Sequence, residues 1–248
     1  QQYIDNKFSY TLYDNLGRIK EVGQKPQTTG SMSQTISQDA IALADWINTS
    51  GGTKEQITRT SYDIKADNVN PVPLDQQNLR NRVSYVQVFG TDPGAGAPFD
   101  HHAATYYTYD IHGNVDKLLQ DYKGIPEMEG SPNGDRFKTT QYNYDLISGK
   151  VNSVGFQADA PDAFYHKYEY DAENRITQVY TSRDKLLWER DAKYDYYKHG
   201  PLARAELGQL RVQGTDYAYT IQGWLKGVNN SSLNPNTDIF GDGSNGST

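Results

Sequence analysis

The sequence predicts an all-β protein: an array of antiparallel β-hairpins that forms a curved or spiralling strip of sheet, with one short inserted helix. The first observation is a unit that recurs along most of the chain: Tyr-x-Tyr-Asp, two linking residues, Gly or Asn, then a basic and an aliphatic residue. The second is the composition, with 20 tyrosines against 7 phenylalanines and 3 tryptophans at a mean hydropathy of −0.82. Tyrosine suits a thin sheet, because it buries ring area while its hydroxyl stays hydrogen-bonded or wet.

Each unit has the chemistry of a strand, a tight turn and a return strand. Two tyrosines at positions i and i+2 place both rings on one face of a strand, since side chains alternate with a period of two. Asp followed three residues later by Gly is typical of a type I turn, and Asn best replaces Gly in the left-handed conformation. The basic residue starts the return strand, where it can lie over a tyrosine ring or pair with the turn Asp.

The residues that carry the repeat are interpreted as structural, because a residue that recurs in every unit serves the unit. The clearest units lie at residues 12–19, 107–115, 142–151 and 168–176, and a loop interrupts the unit that begins at residue 57. The last two units are degenerate, with Tyr197 and Thr220 in the Asp position. The repeat residues are Tyr13, Asp14, Gly17, Arg18, Tyr62, Asp63, Asn81, Arg82, Tyr107, Tyr109, Asp110, Gly113, Tyr142, Tyr144, Asp145, Gly149, Tyr168, Tyr170, Asp171, Asn174, Arg175, Tyr194, Tyr196, Gly200, Tyr217, Tyr219 and Gly223.

The inserted helix is predicted at residues 37–48, after a first hairpin at residues 8–22. Ser37 can serve as its N-cap, and Ile41, Ala44 and Ile47 recur at a spacing of three. Two glycines at 51 and 52 end it. We expect this helix to pack on the sheet rather than to bind a partner.

Loops are expected near residues 64–78, 90–103 and 123–138, where Pro and Gly are frequent. The hairpin array is expected to extend over residues 1–229. The Asn-, Ser- and Gly-rich stretch at 230–248 is expected to be a tail or a loop.

The repeat resembles the YD repeat of the Rhs/YD-repeat family, which includes the teneurins and the cocoon subunits of bacterial toxin complexes. Residues 193–206 and 217–228, with Gly-Pro-Leu-Ala-Arg and Ile-Gln-Gly-Trp-Leu-Lys-Gly, resemble large Rhs proteins of the Bacteroidetes type. The resemblance covers most of residues 11–229, apart from the loops and the helix.

This resemblance implies a sheet strip that spirals into a hollow shell around a C-terminal cargo, often a toxin. The Asp-Pro-x-Gly core motif that typically closes such a shell is absent from this sequence. We therefore interpret the chain, which starts and stops within the pattern, as a segment of shell wall from a secreted or cell-surface protein. Its expected partners are the remainder of the same polypeptide or shell and an enclosed toxin domain.

Charge and composition disfavour several other classes of protein. A formal net charge of −7 and a pI near 5.2 argue against a general nucleic-acid binder. The sequence contains no run of 18 apolar residues of the kind that spans a membrane, and no signal peptide is recognised. The absence of cysteine rules out disulfides and thiol chemistry.

The sequence predicts no enzyme, no cofactor and no metal site. The most regular carboxylates are repeat-turn residues, which favours turn capping over acid–base work. The densest metal-like cluster is Asp100-His101-His102, but adjacent side chains on an extended segment point to opposite faces. Residues 234–238 resemble a calcium loop only weakly, because Gly at the sixth position and an acid at the twelfth are lacking.

The sequence leaves two alternatives to a shell role open. Exposed tyrosine stripes could stack on sugar rings in a surface adhesin, or tyrosine ladders could simply hold neighbouring hairpins together. The second of these is favoured, and the discriminating observation is whether the rings lie between hairpins or line an exposed groove. Open strand edges could also pair with another chain, which predicts association with the rest of the same protein or self-association.

Overall fold

A computed structural model describes residues 7–27, 32–49, 52–66, 72–94, 100–129 and 136–229. The chain forms a 14-stranded antiparallel sheet in which the strands follow one another in sequence order. The sheet is not closed, because the first and last strands each have a single neighbour. The predicted all-β hairpin array is confirmed. The weak calcium-loop resemblance and the predicted tail at 230–248 lie outside the described residues.

The chain divides into two compact units, at residues 1–139 and 140–248. The strands of the first unit are β1 (Lys7–Tyr13), β2 (Ile19–Pro26), β3 (Glu55–Tyr62), β4 (Val83–Thr91), β5 (Ala103–Tyr109), β6 (Val115–Asp121) and the first residues of β7 (Phe137–Tyr144). The strands of the second unit are the rest of β7, β8 (Val151–Phe156), β9 (Phe164–Tyr170), β10 (Ile176–Ser182), β11 (Glu189–Tyr196), β12 (Leu202–Leu207), β13 (Gln213–Tyr219) and β14 (Leu225–Val228).

Seven hairpins pair an odd-numbered strand with the next even-numbered strand, and each is joined by one repeat turn. The register shifts by one residue just before the turn in every hairpin, as between Leu12 and Tyr13 in β1. Such a shift is a bulge, which bends the strand and increases its twist. The second tyrosine of each unit is therefore the last residue of its strand, directly beside the turn.

The helical insertion is two short helices rather than one. α1 (Gln34–Gln38) begins after Ser33, whose hydroxyl accepts the N–H of Ile36, and α2 (Ala40–Asn48) begins after Asp39. The predicted start at Ser37 is wrong, because the Asp39 carboxylate accepts two first-turn N–H groups and starts a new helix there. A side-chain oxygen acceptor at this position stabilises a helix start by about 1 kcal/mol.

Helix α2 packs on the sheet through its C-terminal end. Trp46 and Ile47 are buried against Tyr10 of β1, and the Trp46 ring meets the Phe8 ring edge-on at 5.7 Å. Each side chain buried in this way contributes about 1.5–3 kcal/mol. The spacing of three predicted that Ile41 and Ile47 lie on the same buried face of the helix. Ile41 is instead 83% exposed, because the buried side chains of α2 lie in its last turn.

A buried lysine fastens α2 to the sheet. Lys25 of β2 is buried, and its ammonium donates to the carbonyls of Trp46 and Ile47 at 2.8 and 2.6 Å. Those carbonyls belong to the end of a helix, where the last four lack partners within the helix and the dipole favours a cation. Burial lowers the pKa of Lys25, and the nearby Lys54 lowers it further.

The predicted loops contain more regular structure than expected. β4 extends to Thr91 inside the predicted loop at 90–103. The segment predicted as a loop at 123–138 includes α3 (Pro126–Glu129) and the start of β7 at Phe137. Helices and strand ends as short as these, flanked by Pro and Gly, are missed when elements are predicted from long periodic runs.

Among the described residues of the second unit, the buried apolar side chains are mostly alanines. They are Ala163, Tyr165, Ala192, Ala203 and Ala205. The Tyr165 ring lies so close to Gly155 that an added Cβ would approach it to 3.1 Å. Small residues thus let the side chains of neighbouring strands come together without a deep core.

Candidate functional site

The repeat turns are closed by their aspartates. In the first hairpin the Asp14 carboxylate accepts the backbone N–H groups of Leu16 and Arg18, and its second oxygen accepts from the Arg18 Nε at 2.7 Å. Gly17 adopts φ +77°, the left-handed conformation that the turn requires. Burial opposes ionisation of Asp14, but the hydrogen bonds from Arg18 outweigh it and hold the pKa of the carboxyl below its usual value.

The same geometry recurs where Asn replaces Gly. Asp171 accepts the N–H groups of Glu173 and Arg175 and pairs with the Arg175 Nε at 2.7 Å, while Asn174 adopts φ +62°. Burial again opposes ionisation, and the bonds from Arg175 and Glu173 hold the pKa of Asp171 low. The arginine thus pairs with its own turn Asp in both hairpins.

Variant turns keep the backbone pattern with other acceptors. Asp145 caps a turn that is one residue longer, closed at Gly149, by accepting from Ser148 at 2.6 Å. In the last hairpin the Thr220 hydroxyl accepts the N–H of Trp224 at 3.1 Å, in place of a carboxylate. The degenerate units therefore still fold as hairpins.

The interrupted unit also closes as a repeat turn. Asp63 donates its backbone N–H to the Arg82 carbonyl, and its carboxylate accepts the N–H of Asn81. Asn81 adopts φ +58°, like Asn174 in the uninterrupted unit. The intervening loop is therefore an insertion into the turn that leaves the ends of the unit in register.

Tyrosine hydroxyls connect four of the hairpins to the hairpin before them. In these four, the second tyrosine of the unit donates to the carbonyl of the aliphatic residue that follows the basic position of the preceding unit. We call this contact, together with any arginine that lies over the same ring, a latch. The hydroxyl–carbonyl pairs are Tyr62 to Ile19 at 2.9 Å, Tyr109 to Val83 at 2.9 Å, Tyr170 to Val151 at 2.7 Å and Tyr196 to Ile176 at 2.7 Å.

Arginine completes three of these latches. The guanidinium carbon of the earlier hairpin lies over the tyrosine ring of the later one, with distances to the ring centroid of 4.2 Å for Arg18 over Tyr62, 5.4 Å for Arg82 over Tyr109 and 4.4 Å for Arg175 over Tyr196. For Arg18 and Arg175, the two options that the sequence left open for the basic residue therefore occur together: the ring belongs to the next hairpin, and the carboxylate belongs to the same hairpin. Arg82 instead donates to the Asn78 carbonyl.

The arginines also reach the next turn. Arg18 pairs with Asp63 at 2.9 Å, and Arg175 donates to the Gly200 carbonyl at 3.2 Å. A side chain at Gly113 would overlap the guanidinium of Arg82. Each of these turns is thus built around the arginine of its predecessor.

The first tyrosines of two units stack on the second tyrosine of the same strand. Tyr107 stacks on Tyr109 at 6.4 Å and Tyr142 on Tyr144 at 6.3 Å, each pair on one strand face. The remaining repeat tyrosines make related ring contacts or are half-buried. Tyr168 stacks on His166, and Tyr219 meets Tyr197 edge-on. The Tyr217 carbonyl accepts the Tyr197 hydroxyl, and Tyr194 is half-buried.

A buried charge cluster in the first unit was not predicted from the sequence. Glu21 of β2 accepts from Arg59 at 2.6 Å, Lys54 at 3.0 Å and the Tyr10 hydroxyl at 2.8 Å, and Asp92 pairs with the same two cations. Burial raises the pKa of Tyr10, and the Glu21 carboxylate adds to that effect. Burial opposes ionisation of Asp92, but Lys54 and Arg59 lower its pKa to about 2.

Within the Asp-His-His segment at residues 100–102, His101 belongs to a buried hydrogen-bond network. His101 is fully buried, with Nε2 at 2.8 Å from Asp121 and Nδ1 at 3.2 Å from Gln87. Arg136 adds two bonds to Asp121, at 2.6 and 2.9 Å. Within the described residues no group of three or more His, Asp or Glu side chains is arranged to hold a metal ion.

In the described part of the chain, no helix is long and apolar enough to cross a membrane. No family model matches the sequence, and no curated protein matches it.

Several solved structures are similar in fold. The crystal structure of TcdB2-TccC3 without its hypervariable C-terminal region aligns with a TM-score of 0.51 at 14% sequence identity, over 92% of this chain and 10% of that chain. The crystal structure of TcdB2-TccC3-Cdc42 aligns with a TM-score of 0.50 at 13% identity, over 92% and 10%. The similarity concerns the fold, and this chain spans about a tenth of the length of those chains.

Proposed function

We propose that this chain is a wall segment of an Rhs/YD-repeat shell. Its role is structural: it extends a sheet that encloses or displays a C-terminal cargo, often a toxin, carried by the same polypeptide. We place this shell outside the cytoplasm, secreted or at a cell surface. The chain has no catalytic role in this proposal and requires no cofactor.

The latch between consecutive hairpins is the observation that carries the proposal. The most regular polar residues of the repeat, its second tyrosine, its turn Asp and its Arg, are engaged with their own turn or with the adjacent hairpin. Each hydroxyl-to-carbonyl bond contributes about 1 kcal/mol, and each cation–π contact about 0.5–1 kcal/mol. A sheet without a thick core gains its cohesion from such contacts, as a wall requires.

The same contacts weigh against the adhesin alternative. A sugar-binding platform needs tyrosine ring faces that are open to solvent. The rings of Tyr62, Tyr109 and Tyr196 are half-buried and lie under arginines of the preceding hairpins. These tyrosines therefore support cohesion between hairpins rather than ligand binding.

The fold similarity supports the larger context. TcdB2-TccC3 shares the fold of this chain over most of this chain's length, and that protein has a hypervariable C-terminal region. We infer by analogy that this chain belongs to a longer polypeptide whose C-terminal part is the cargo. The remainder of that polypeptide is the principal partner.

The test is electron microscopy and limited proteolysis of the native polypeptide that contains this sequence. We expect a hollow particle in which the part that follows the repeat is cut only after the shell has been unfolded. The control is the same polypeptide digested in denaturant. An open strip, with the following part cut as quickly in native as in denaturing buffer, would contradict a shell.

A further inference from the structure

We propose that a cleft in the insertion of the interrupted unit binds a small acidic saccharide, with the Arg80 guanidinium holding its carboxylate. This insertion cleft has a volume of about 490 Å³ and is lined by residues 63, 65 and 76–81. Binding sites for small molecules are concave and typically have volumes of about 300–1,000 Å³. The proposal goes beyond the wall role and does not depend on it.

The insertion cleft belongs to a part of the chain that departs from the repeat. In an uninterrupted unit two residues separate the turn Asp from the Asn, as between Asp171 and Asn174, whereas residues 64–80 separate Asp63 from Asn81. The turn closes with the same left-handed Asn in both cases. The hairpin array therefore does not require the insertion, and surface segments of this kind often carry function.

Hydrogen bonds to the neighbouring strands fix the described part of the insertion. Gln76 is buried, and its side-chain amide donates to the carbonyls of Ser84 at 2.7 Å and Tyr107 at 3.0 Å. The next residue, Gln77, donates its backbone N–H to the Thr108 hydroxyl at 2.9 Å. A cleft held in this way is formed before a ligand arrives, so that little affinity is lost to ordering the loop.

Arg80 supplies a positive charge that the surrounding side chains leave uncompensated. Lys65 pairs with Asp75 at 2.9 Å, and the Asp63 carboxylate pairs with Arg18 at 2.9 Å. Arg80 is exposed and forms no ion pair within the described residues. A planar guanidinium can hold a carboxylate through two parallel hydrogen bonds. The cleft therefore selects a ligand that carries one carboxylate.

Amide side chains beside Arg80 suit the hydroxyl groups of a sugar ring. Asn81 is exposed, and its side-chain amide forms no hydrogen bond within the described part of the chain. The Gln77 amide donates to Asp75 at 2.7 Å, which leaves its carbonyl oxygen available as an acceptor. Amide groups both donate and accept hydrogen bonds, as hydroxyl groups do. No lining residue is aromatic, so the ligand is held by charge and hydrogen bonds rather than by ring stacking.

The experiment titrates the full chain with glucuronic acid and follows binding by saturation-transfer difference NMR. Glucose has the same ring without the carboxylate, and we expect it to bind about tenfold more weakly or less, the factor that one hydrogen bond to a charged group provides. Inorganic phosphate supplies charge without a sugar ring, and we expect it to displace glucuronic acid only at about tenfold higher concentration. Equal affinity for glucose, or displacement by an equal concentration of phosphate, would overturn the acidic saccharide.

Matched variants test the assignment to the insertion cleft. Arg80→Gln removes the cation, and we expect the affinity for glucuronic acid to fall about tenfold, to that of glucose. Asn81→Gly removes the amide and tolerates the left-handed backbone, and we expect a loss of about fivefold. Arg183→Gln is the control, since Arg183 is an exposed arginine outside the cleft, and it should leave the affinity unchanged. Full binding by Arg80→Gln, or an equal loss in Arg183→Gln, would contradict the proposal.

Hydrogen exchange separates a lost contact from a lost fold. Glucuronic acid should protect the backbone amides of residues 76–81 in the original chain and not in Arg80→Gln, while both proteins exchange alike without ligand. Protection that occurs elsewhere and not in this segment would assign the ligand to another surface and overturn the cleft. None of these measurements requires a closed particle, so a failed shell and a failed binding site are distinguishable.

Discussion

Replacing Asp121 with asparagine should destabilise the first unit by about 2–4 kcal/mol. The Asp121 carboxylate is fully buried between His101 and Arg136, and it accepts three hydrogen bonds from them. Asparagine has nearly the same shape but one acceptor oxygen, so its amide N–H groups would face a guanidinium or an imidazole. The variant therefore measures the contribution of the negative charge and the second acceptor oxygen, while the packing of the side chain stays nearly the same.

The magnitude follows from the pKa of Asp121 and from the partners left behind. Burial opposes ionisation, but the bonds from His101 and Arg136 lower the pKa from 3.8 to about 2. A difference of this size corresponds to about 2 kcal/mol in favour of the folded state at neutral pH. Leaving a buried partner uncompensated adds to the loss. Because asparagine keeps one acceptor oxygen, we expect a total of about 2–4 kcal/mol, less than the roughly 3–5 kcal/mol lost when one member of a buried pair is removed entirely.

The pH dependence has a definite sign. Because the folded-state pKa of Asp121 is depressed, its contribution is complete above pH 3.8 and is lost as the pH falls through about 2. The difference in stability between the original chain and Asp121→Asn should therefore be constant near neutral pH and shrink across that acidic window. Other depressed carboxylates, such as Asp92, titrate in both proteins and cancel in the difference.

The assay is hydrogen exchange of peptides from β5 and β6 under denaturant. A local readout is needed because the two compact units of the chain need not unfold together. Asp75→Asn is the matched control: Asp75 is exposed and pairs with Lys65 at 2.9 Å, so its loss should cost at most about 0.5 kcal/mol. The reasoning is refuted if Asp121→Asn costs no more than this control, or if its full effect persists at pH 2.

Three further predictions concern the contacts between hairpins. Tyr196→Phe should lower the free energy of unfolding, measured with denaturant, by about 1 kcal/mol, because it removes the hydroxyl bond to the Ile176 carbonyl and keeps the ring. Tyr194→Phe on the same strand is the control, and equal losses of stability in the two variants would contradict the latch. Gly113→Ala should cost about 1–3 kcal/mol, because φ is +99° and the new Cβ displaces the Arg82 guanidinium; an unchanged unfolding midpoint would contradict this. In a double-mutant cycle, Arg82→Ala with Gly113→Ala should cost roughly 1 kcal/mol less than the sum of the single changes, whereas strict additivity would show that the two positions do not interact.

The hairpins could be predicted from the sequence because their chemistry is local. Asp14, Gly17 and Arg18 lie within one turn, and the spacing of the pattern reports directly on that turn. Even the interrupted unit was recognisable, since Asn81 and Arg82 have the same character as Asn174 and Arg175. The start of α2 was misplaced because two oxygen-bearing side chains, Ser37 and Asp39, compete as N-caps within three positions.

The repeat unit could be predicted from sequence alone: a strand that ends in tyrosine, an Asp turn, a basic residue and a return strand. The basic residue was predicted to start that strand, but Arg18 and Arg175 lie in the turn, one residue before β2 and β10 begin. Only the tertiary structure decided which ring Arg18 covers, since Tyr62 follows it by a loop and two helices. The same holds for His101, which precedes β5 and whose partner Asp121 lies at the end of β6. Turn contacts depend on neighbours in sequence, whereas latches and buried ion pairs depend on which strands the sheet places side by side.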